Sequence, residues 1–301
     1  MPSATARELS VRTDDGVLLA GEEAGRGTGG APIILLHGLT ATRRYVVMGS
    51  RLLERSGYRV IAYDARGHGR SSPAPERSAY GYERLARDLE AVLDALELPR
   101  AALAGASMGT HTILRFALEH PARVAALGLV TPAFDPAALE LDVPGGTTSA
   151  PRQRPAAPEG NRQALARALR EGGVEGFVRA YDFSTVPPAW RETVERVVRQ
   201  RLSLHEHPEA VADAMEVVSS SRPFEDFAEL GTITAPAVVV ASRDEVDPGH
   251  PLALAERYAR AIPGATFTVE EGGPPLRSPI AWQGGQLSKV LVELLGRVRY
   301  T

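Results

Sequence analysis

Apolar residues fall into two rhythms along this chain. Unbroken runs recur at Pro32-Ile33-Ile34-Leu35-Leu36, Ala101 to Ala104, Val124 to Val130 and Ala237 to Ala241, and Tyr58 to Tyr63 reads as a further strand interrupted only by Arg59. Short runs without alternation predict strands covered on both faces. Between them the spacing becomes helical. Leu85, Leu89, Val92, Leu93 and Leu96 share one face of a helix over Tyr80 to Leu96, and Ile113, Leu114, Ala117 and Leu118 share one after residue 107. Further helices are predicted over Arg43 to Ser56, stopped by Gly57, from about Pro251 to Ala261, and over Gln286 to Arg297, with a strand at Thr266 to Glu270. Leu9 to Glu23 alternates and turns at Asp14-Asp15-Gly16, predicting a hairpin of two edge strands. Strands alternating with helices predict an α/β chain with an open, mainly parallel sheet and its site at the strand ends.

The rhythm breaks after Phe134. Val143 to Gly160 is rich in Pro, Gly, Ser and Ala and reads as a flexible connection. Helical patterns then follow at Arg162 to Arg170, Gly176 to Tyr181, Ala189 to Leu204 and Pro208 to Val218. The chain therefore divides into a core, residues 1–134 with 231–301, and a helical insertion over 135–230 suited to a lid. Aromatic residues of the insertion, Phe177, Tyr181, Phe183 and Trp190, either line an apolar pocket or pack the insertion onto the core.

One stretch carries chemistry. The run ending at Ala104 passes into Gly105-x-Ser107-x-Gly109 and then directly into a helix, so a serine stands at a strand-to-helix turn. The glycines permit a turn in which the serine backbone is strained and segments approach closely. The hydroxyl of Ser107 would lie at the positive end of the following helix, where the N–H of Met108 is free to stabilise an oxyanion. After the run at 32–36, His37-Gly38-Leu39-Thr40 bends over the same sheet edge, so the N–H of Leu39 would point into the same space. His37 itself reads as structural. In Asp64 to Ser72, a polar loop punctuated by Gly67 and Gly69, Asp64 and Arg66 are expected to brace the loop by local pairing.

Composition narrows the chemistry further. The formal net charge of -3 over 301 residues gives no general attraction to nucleic acid or anionic membrane. With no cysteine there is no disulfide, thiol nucleophile or thiolate metal site. No apolar stretch has the length of a signal peptide core or a membrane span, so a cytoplasmic protein is expected. No metal cluster, phosphate loop or dinucleotide fingerprint stands out, and no cofactor is implied.

Four landmarks in order, His37-Gly38, Asp64-x-Arg66-Gly67-x-Gly69-x-Ser71, Gly105-x-Ser107-x-Gly109 and the loop at Asp244, make the chain resemble the α/β-hydrolase superfamily outside the insertion. The resemblance implies that Ser107 is the nucleophile, that the Leu39 and Met108 amides form the oxyanion hole, and that Asp244 orients a histidine. Asp247 is the rival acid; Asp244 is preferred because it lies closer to the strand end. The resemblance also exposes a departure. The histidine of such enzymes follows the last strand, and Glu270 to Trp282 contains none.

A serine without a base is a poor nucleophile. Of seven histidines, His37 and His68 sit in structural loops, while His111 and His120 are expected to face away. His205 and His207 read as solvated surface residues near the end of a lid helix. His250 alone keeps the order Ser, Asp, His, six residues beyond Asp244. Either His250 is the base, or a lid histidine is, or none is. The expected function is hydrolysis of a carboxylic ester, lactone or thioester with an apolar acyl part. The alternatives are a lyase, cyclase or acyltransferase in which Ser107 only positions substrate, and a ligand-binding protein without turnover.

Overall fold

The computed structural model describes residues 6–25, 31–137, 159–244, 247, 249–270 and 285–298. The stretch around Val143 to Gly160 lies mostly outside them, as does the histidine-free stretch after Glu270. Eight strands form one sheet: β1 (Arg7–Arg12), β2 (Leu18–Ala24), β3 (Pro32–Leu36), β4 (Arg59–Tyr63), β5 (Ala101–Ala106), β6 (Val124–Val130), β7 (Ala237–Ala241) and β8 (Thr266–Val269). Their spatial order is β1-β2-β4-β3-β5-β6-β7-β8. The β1–β2 and β2–β4 pairs are antiparallel and the rest parallel. Of the expected edge hairpin only β1 is an edge, because β2 turns back onto β4.

The unbroken apolar runs serve two layers at once. In β3, Ile34 and Leu36 join a cluster with α2 (Tyr82–Ala95), α3 (Met108–Glu119) and α7 (Leu252–Ala261). Ile33 and Leu35 point the other way, toward α1 (Leu52–Arg55) and α8 (Gln286–Leu295). β5 repeats the alternation, with Ala101 and Leu103 on one side and Ala102 and Ala104 on the other. A strand with helices on both faces has no polar side to show, which is why the runs lack alternation.

The helix expected over Arg43 to Ser56 is instead a 3-10 turn at Arg43–Tyr45 and a single turn of α1. Met48 at φ 48° and Gly49 at φ 73° reverse the chain between them. Gly57, at φ 88°, does end the segment. Between β6 and β7 lie α4 (Glu159–Ala180), bent where Gly173 leaves helical geometry, α5 (Arg191–Leu202) and α6 (Pro208–Ser220). These three share a core of their own that includes Leu165, Leu169, Phe177, Leu202 and Met215. Phe177 is buried in it, and Tyr181 and Phe183 pack against it with their rings 4.7 Å apart.

The polar loop after β4 is braced partly within itself and mainly by charge partners on other elements. Arg66 is fully buried and donates to both carboxylate oxygens of Asp88 on α2, at 2.7 and 2.6 Å, and to Asp15 of the β1–β2 turn at 2.8 Å. Asp64 pairs with Arg43 and also accepts from the backbone N–H groups of Arg43 and Arg70. Charges in this loop therefore tie it to the β1–β2 turn, the β3 loop and α2. Leaving Asp88 buried without its cation is expected to cost about 3–5 kcal/mol, so Arg66→Leu should lower the urea midpoint strongly at unchanged cooperativity. A midpoint equal to that of the parent would show that the pair contributes nothing.

Candidate active site

Register decides where the site lies. Leu36 pairs with Gly105, Ala106 with Val130, and Val130 with Val240. The carboxyl ends of β3, β5, β6 and β7 are thus level, and the chain leaves β3 toward β4 on one side while β5 lies on the other. Loops after these strands open into one crevice at that topological switch.

Ser107 occupies the turn between β5 and α3 at φ 50°, ψ -109°. Its N–H donates to the Val130 carbonyl at 2.9 Å, and its own carbonyl accepts from the His111 N–H at 3.1 Å. A side chain on Gly105 would run into the Gly109 carbonyl, and one on Gly109 into the carbonyl of Leu36. The sequence spacing therefore has a steric cause: three backbone segments meet where no Cβ fits. A Cβ added to Gly38 would stand 3.5 Å from the Ser107 Cβ and 3.3 Å from the Ala106 carbonyl oxygen. Among the described hydrogen bonds, none uses the N–H of Leu39 or of Met108.

A histidine lies within reach of the serine. His250 Nε2 is 2.9 Å from Ser107 Oγ, and Nδ1 is 2.9 Å from both Asp247 carboxylate oxygens. Asp247 and His250 share one tight turn, closed by the His250 N–H donating to the Asp247 carbonyl at 3.1 Å. Asp244 is not the partner of this histidine. It is exposed, and its carboxylate accepts from the Leu252 N–H at 2.7 Å, where α7 begins and a negative charge is favoured. Closeness to the strand end does not select the partner of His250; the spacing of three residues, Asp-x-x-His, is the sequence signal of this pair.

The other histidines have structural partners. His37 accepts from the Ala65 N–H at 2.9 Å, so its Nδ1–H donates to the Gly38 carbonyl at 2.8 Å. His111, rather than facing away, is buried; Nε2 accepts from the Ala133 and Phe134 N–H groups, leaving Nδ1–H to the Tyr82 hydroxyl. His205 is no surface residue either, at 8% exposure, and its ring bonds Gly69 and Thr40. His120 and His207 are partly exposed beside Glu90 and Glu209.

Two arginines of the inserted helices add positive charge near the crevice. The Nε of Arg201 is cut off from solvent without a hydrogen-bond partner, and among the described residues Arg201 enters no ion pair. Burial pushes its pKa down, opposed by Tyr181, Tyr45 and Asp247. The charge of Arg162 opposes the rise that burial gives the Tyr82 pKa and adds to the fall that burial gives that of His111. No group of three or more His, Asp or Glu among the described residues is placed to hold a metal ion, and no described helix is long and apolar enough to cross a membrane.

The chain belongs to the alpha/beta hydrolase fold family, whose match covers residues 31–274. It is 30% identical over 276 residues to a 2-hydroxy-6-oxononadienedioate/2-hydroxy-6-oxononatrienedioate hydrolase of Burkholderia vietnamiensis, covering 89% of this chain and 88% of that one. Among solved structures it resembles an enol-lactonase from Burkholderia xenovorans, with a TM-score of 0.71 at 21% identity over 97% of this chain and all of the other. A bromoperoxidase from Bacillus anthracis matches with a TM-score of 0.70 at 19% identity, over 96% and 100% of the two chains. These structural likenesses concern the fold.

Burial pushes the His111 pKa down to about 3 and that of His205 to about 4, and also lowers those of His37 and His68. In the unfolded chain such groups titrate near 6.5, so between that pH and the native values the unfolded state binds more protons. Stability is therefore complete above about pH 6.5 and falls as the pH drops toward 4. The urea midpoint should decline between pH 7 and pH 5, before most carboxylates titrate; a flat midpoint across that window would contradict the neutral assignments.

Proposed function

We propose that this protein is a serine hydrolase that cleaves a carboxylic ester, lactone or thioester through an acyl-enzyme on Ser107. The observation that carries the reading is the unbroken chain of hydrogen bonds from Ser107 Oγ through His250 to Asp247. His250 Nε2 takes the hydroxyl proton as Oγ attacks the substrate carbonyl, and Asp247 holds Nδ1–H and offsets the positive charge that develops on the ring. The carbonyl oxygen, now negative, receives the Leu39 and Met108 N–H groups. His250 then protonates the leaving group, and a water activated by the same nitrogen releases the acid. The helices between β6 and β7 serve as the lid of this pocket.

A fluorophosphonate probe should label the parent and fail on Ser107→Ala. His250→Ala is expected to lower kcat by about 10⁴-fold or more, and Asp247→Asn by a comparable factor, both with folding unchanged. Asp244→Asn should keep kcat within a few-fold and cost at most about 1 kcal/mol of stability through the start of α7. Turnover that survives Ser107→Ala would favour a reaction in which the serine only positions substrate. A larger loss in Asp244→Asn than in Asp247→Asn would restore Asp244 as the acid.

The substrate of this reading carries a negative charge. Arg201 supports it, since a guanidinium atom cut off from solvent and left without a partner is costly unless an anion completes it. The 30% identical relative is named for a dienedioate, itself a dicarboxylate. Arg201→Gln should raise KM about tenfold for an ester bearing a carboxylate, with kcat and the KM of a neutral analogue little changed. Equal effects on the charged and neutral esters would remove the charge from the specificity.

A further inference from the structure

The segment Ser203 to His207 joins α5 to α6 and meets the two loops that frame the crevice. The ring of His205 spans them. Its Nδ1 accepts from the Gly69 N–H at 2.8 Å, so Nε2 carries the hydrogen and donates to the Thr40 carbonyl at 3.0 Å. The next residue adds a second tie, with the Glu206 N–H donating to the Gly69 carbonyl at 2.9 Å. Gly69 is thus held through both its backbone groups by the helical insertion.

Thr40 is no ordinary acceptor. It follows Leu39 directly and stands at φ 64°, a conformation unfavourable for a β-branched residue that persists only when its surroundings impose it. The carbonyls of Gly38 and Thr40 are both held by histidines, Thr40 by His205 Nε2–H and Gly38 by His37 Nδ1–H. The Gly38 carbonyl also accepts from the Ala41 N–H at 3.0 Å, and that N–H lies in the peptide plane of the Thr40 carbonyl. The Gly38 carbonyl shares a peptide plane with the Leu39 N–H, so a bond to one aims the other. The three rings of His37, His68 and His205 run in contact, with centroids 5.2 and 5.5 Å apart, from the β3 loop to the insertion. Facing His205 are Asp64, His37, His68 and Arg201; burial holds the ring neutral, as an acceptor at Nδ1 requires.

We infer that His205 is a positioning residue of the proposed hydrolase: from the insertion, it fixes the strained Thr40 so that the Leu39 N–H is aimed at the developing oxyanion. This rests on the reading of Ser107 as nucleophile and Leu39 as an oxyanion donor. In consequence the helical insertion is part of the machinery of the transition state as well as a cover for the pocket.

The test compares His205→Gln, whose amide nitrogen reaches toward Thr40, with His205→Asn, which reaches only Gly69, and with His205→Phe, which keeps the ring and loses both bonds. Loss of a single oxyanion donor lowers kcat by about 10²–10³-fold, so partial misalignment is expected to lower it by about 10–100-fold in His205→Phe and His205→Asn. KM should change less than about threefold, and His205→Gln should recover most of kcat. Affinity for a boronic acid transition-state analogue should fall in proportion to kcat/KM, while affinity for a product carboxylate stays constant. A purely structural role would lower the melting temperature and leave kcat per folded molecule unchanged in all three. If His205→Phe does not fold, the ratio of kcat between the Gln and Asn variants decides, and equal values overturn the proposal. Ser107→Ala is measured alongside. An inactive Ser107→Ala with unaffected His205 variants refutes the positioning role alone, whereas an active Ser107→Ala refutes the nucleophile reading on which it stands.

Discussion

The conformation of Ser107 is the constraint from which the rest of the molecule follows. A serine at φ 50° lies outside the regions an L-residue adopts without cost, and it persists here because β5, α3 and the end of β3 meet around it without intervening side chains. Gly105 and Gly109 remove the obstruction. The Val130 carbonyl then takes the serine N–H, which fixes the turn to the neighbouring strand. Because that strand is paired in register with β7, the same contact sets the height at which the loop carrying Asp247 and His250 departs. Local strain and global sheet register are therefore parts of one arrangement.

The loops around that turn depend on buried polar groups rather than on apolar packing. Arg66, Asp88, Asp64 and Arg43 are each almost wholly removed from water, and each is satisfied across a long stretch of sequence. Such pairs add little net stability over an apolar core, but breaking one leaves an uncompensated charge. They act instead as registers that allow only one relative placement of the β1–β2 turn, the β3 loop, the β4 loop and α2. The buried histidines extend the same logic into the insertion, with every ring neutral and its tautomer set by backbone donors and acceptors.

What could be read from the chain alone divides along physical lines. The strands and the serine turn were legible because burial on two faces and the absence of a Cβ leave marks within a few residues. The helix expected at Arg43 to Ser56 failed because Met48 and Gly49 adopt positive φ, and of the two only Gly49 is a residue type that signals it. Asp64 and Arg66 were recognised as structural, yet their partners lie on other elements and no local pattern names them. The same blindness hid His205, whose two acceptor and donor contacts come from residues 136 and 165 positions away. The choice between Asp244 and Asp247 turned on a helix start, since one carboxylate is drawn to the amides opening α7 and only the other is left to meet His250.

In the proposed mechanism acid and base share one turn, which changes what the site requires of the fold. When the two groups come from separate loops, each loop must be held independently to hydrogen-bond precision, and each can fail alone. Here three residues of separation and one backbone hydrogen bond set the Asp247–His250 geometry before any tertiary contact is made. The fold has then to place a single turn against Ser107, which lowers the entropy lost in assembling the constellation. In the proposed mechanism the remaining precision is needed on the opposite side of the substrate, at the Leu39 amide. That is where the chain concentrates its strained Thr40, its buried histidine rings and its ties to the inserted helices. The division is economical in physical terms: one half of the site is set by local chain geometry, so the long-range contacts of the fold can be devoted to the half that local geometry cannot hold.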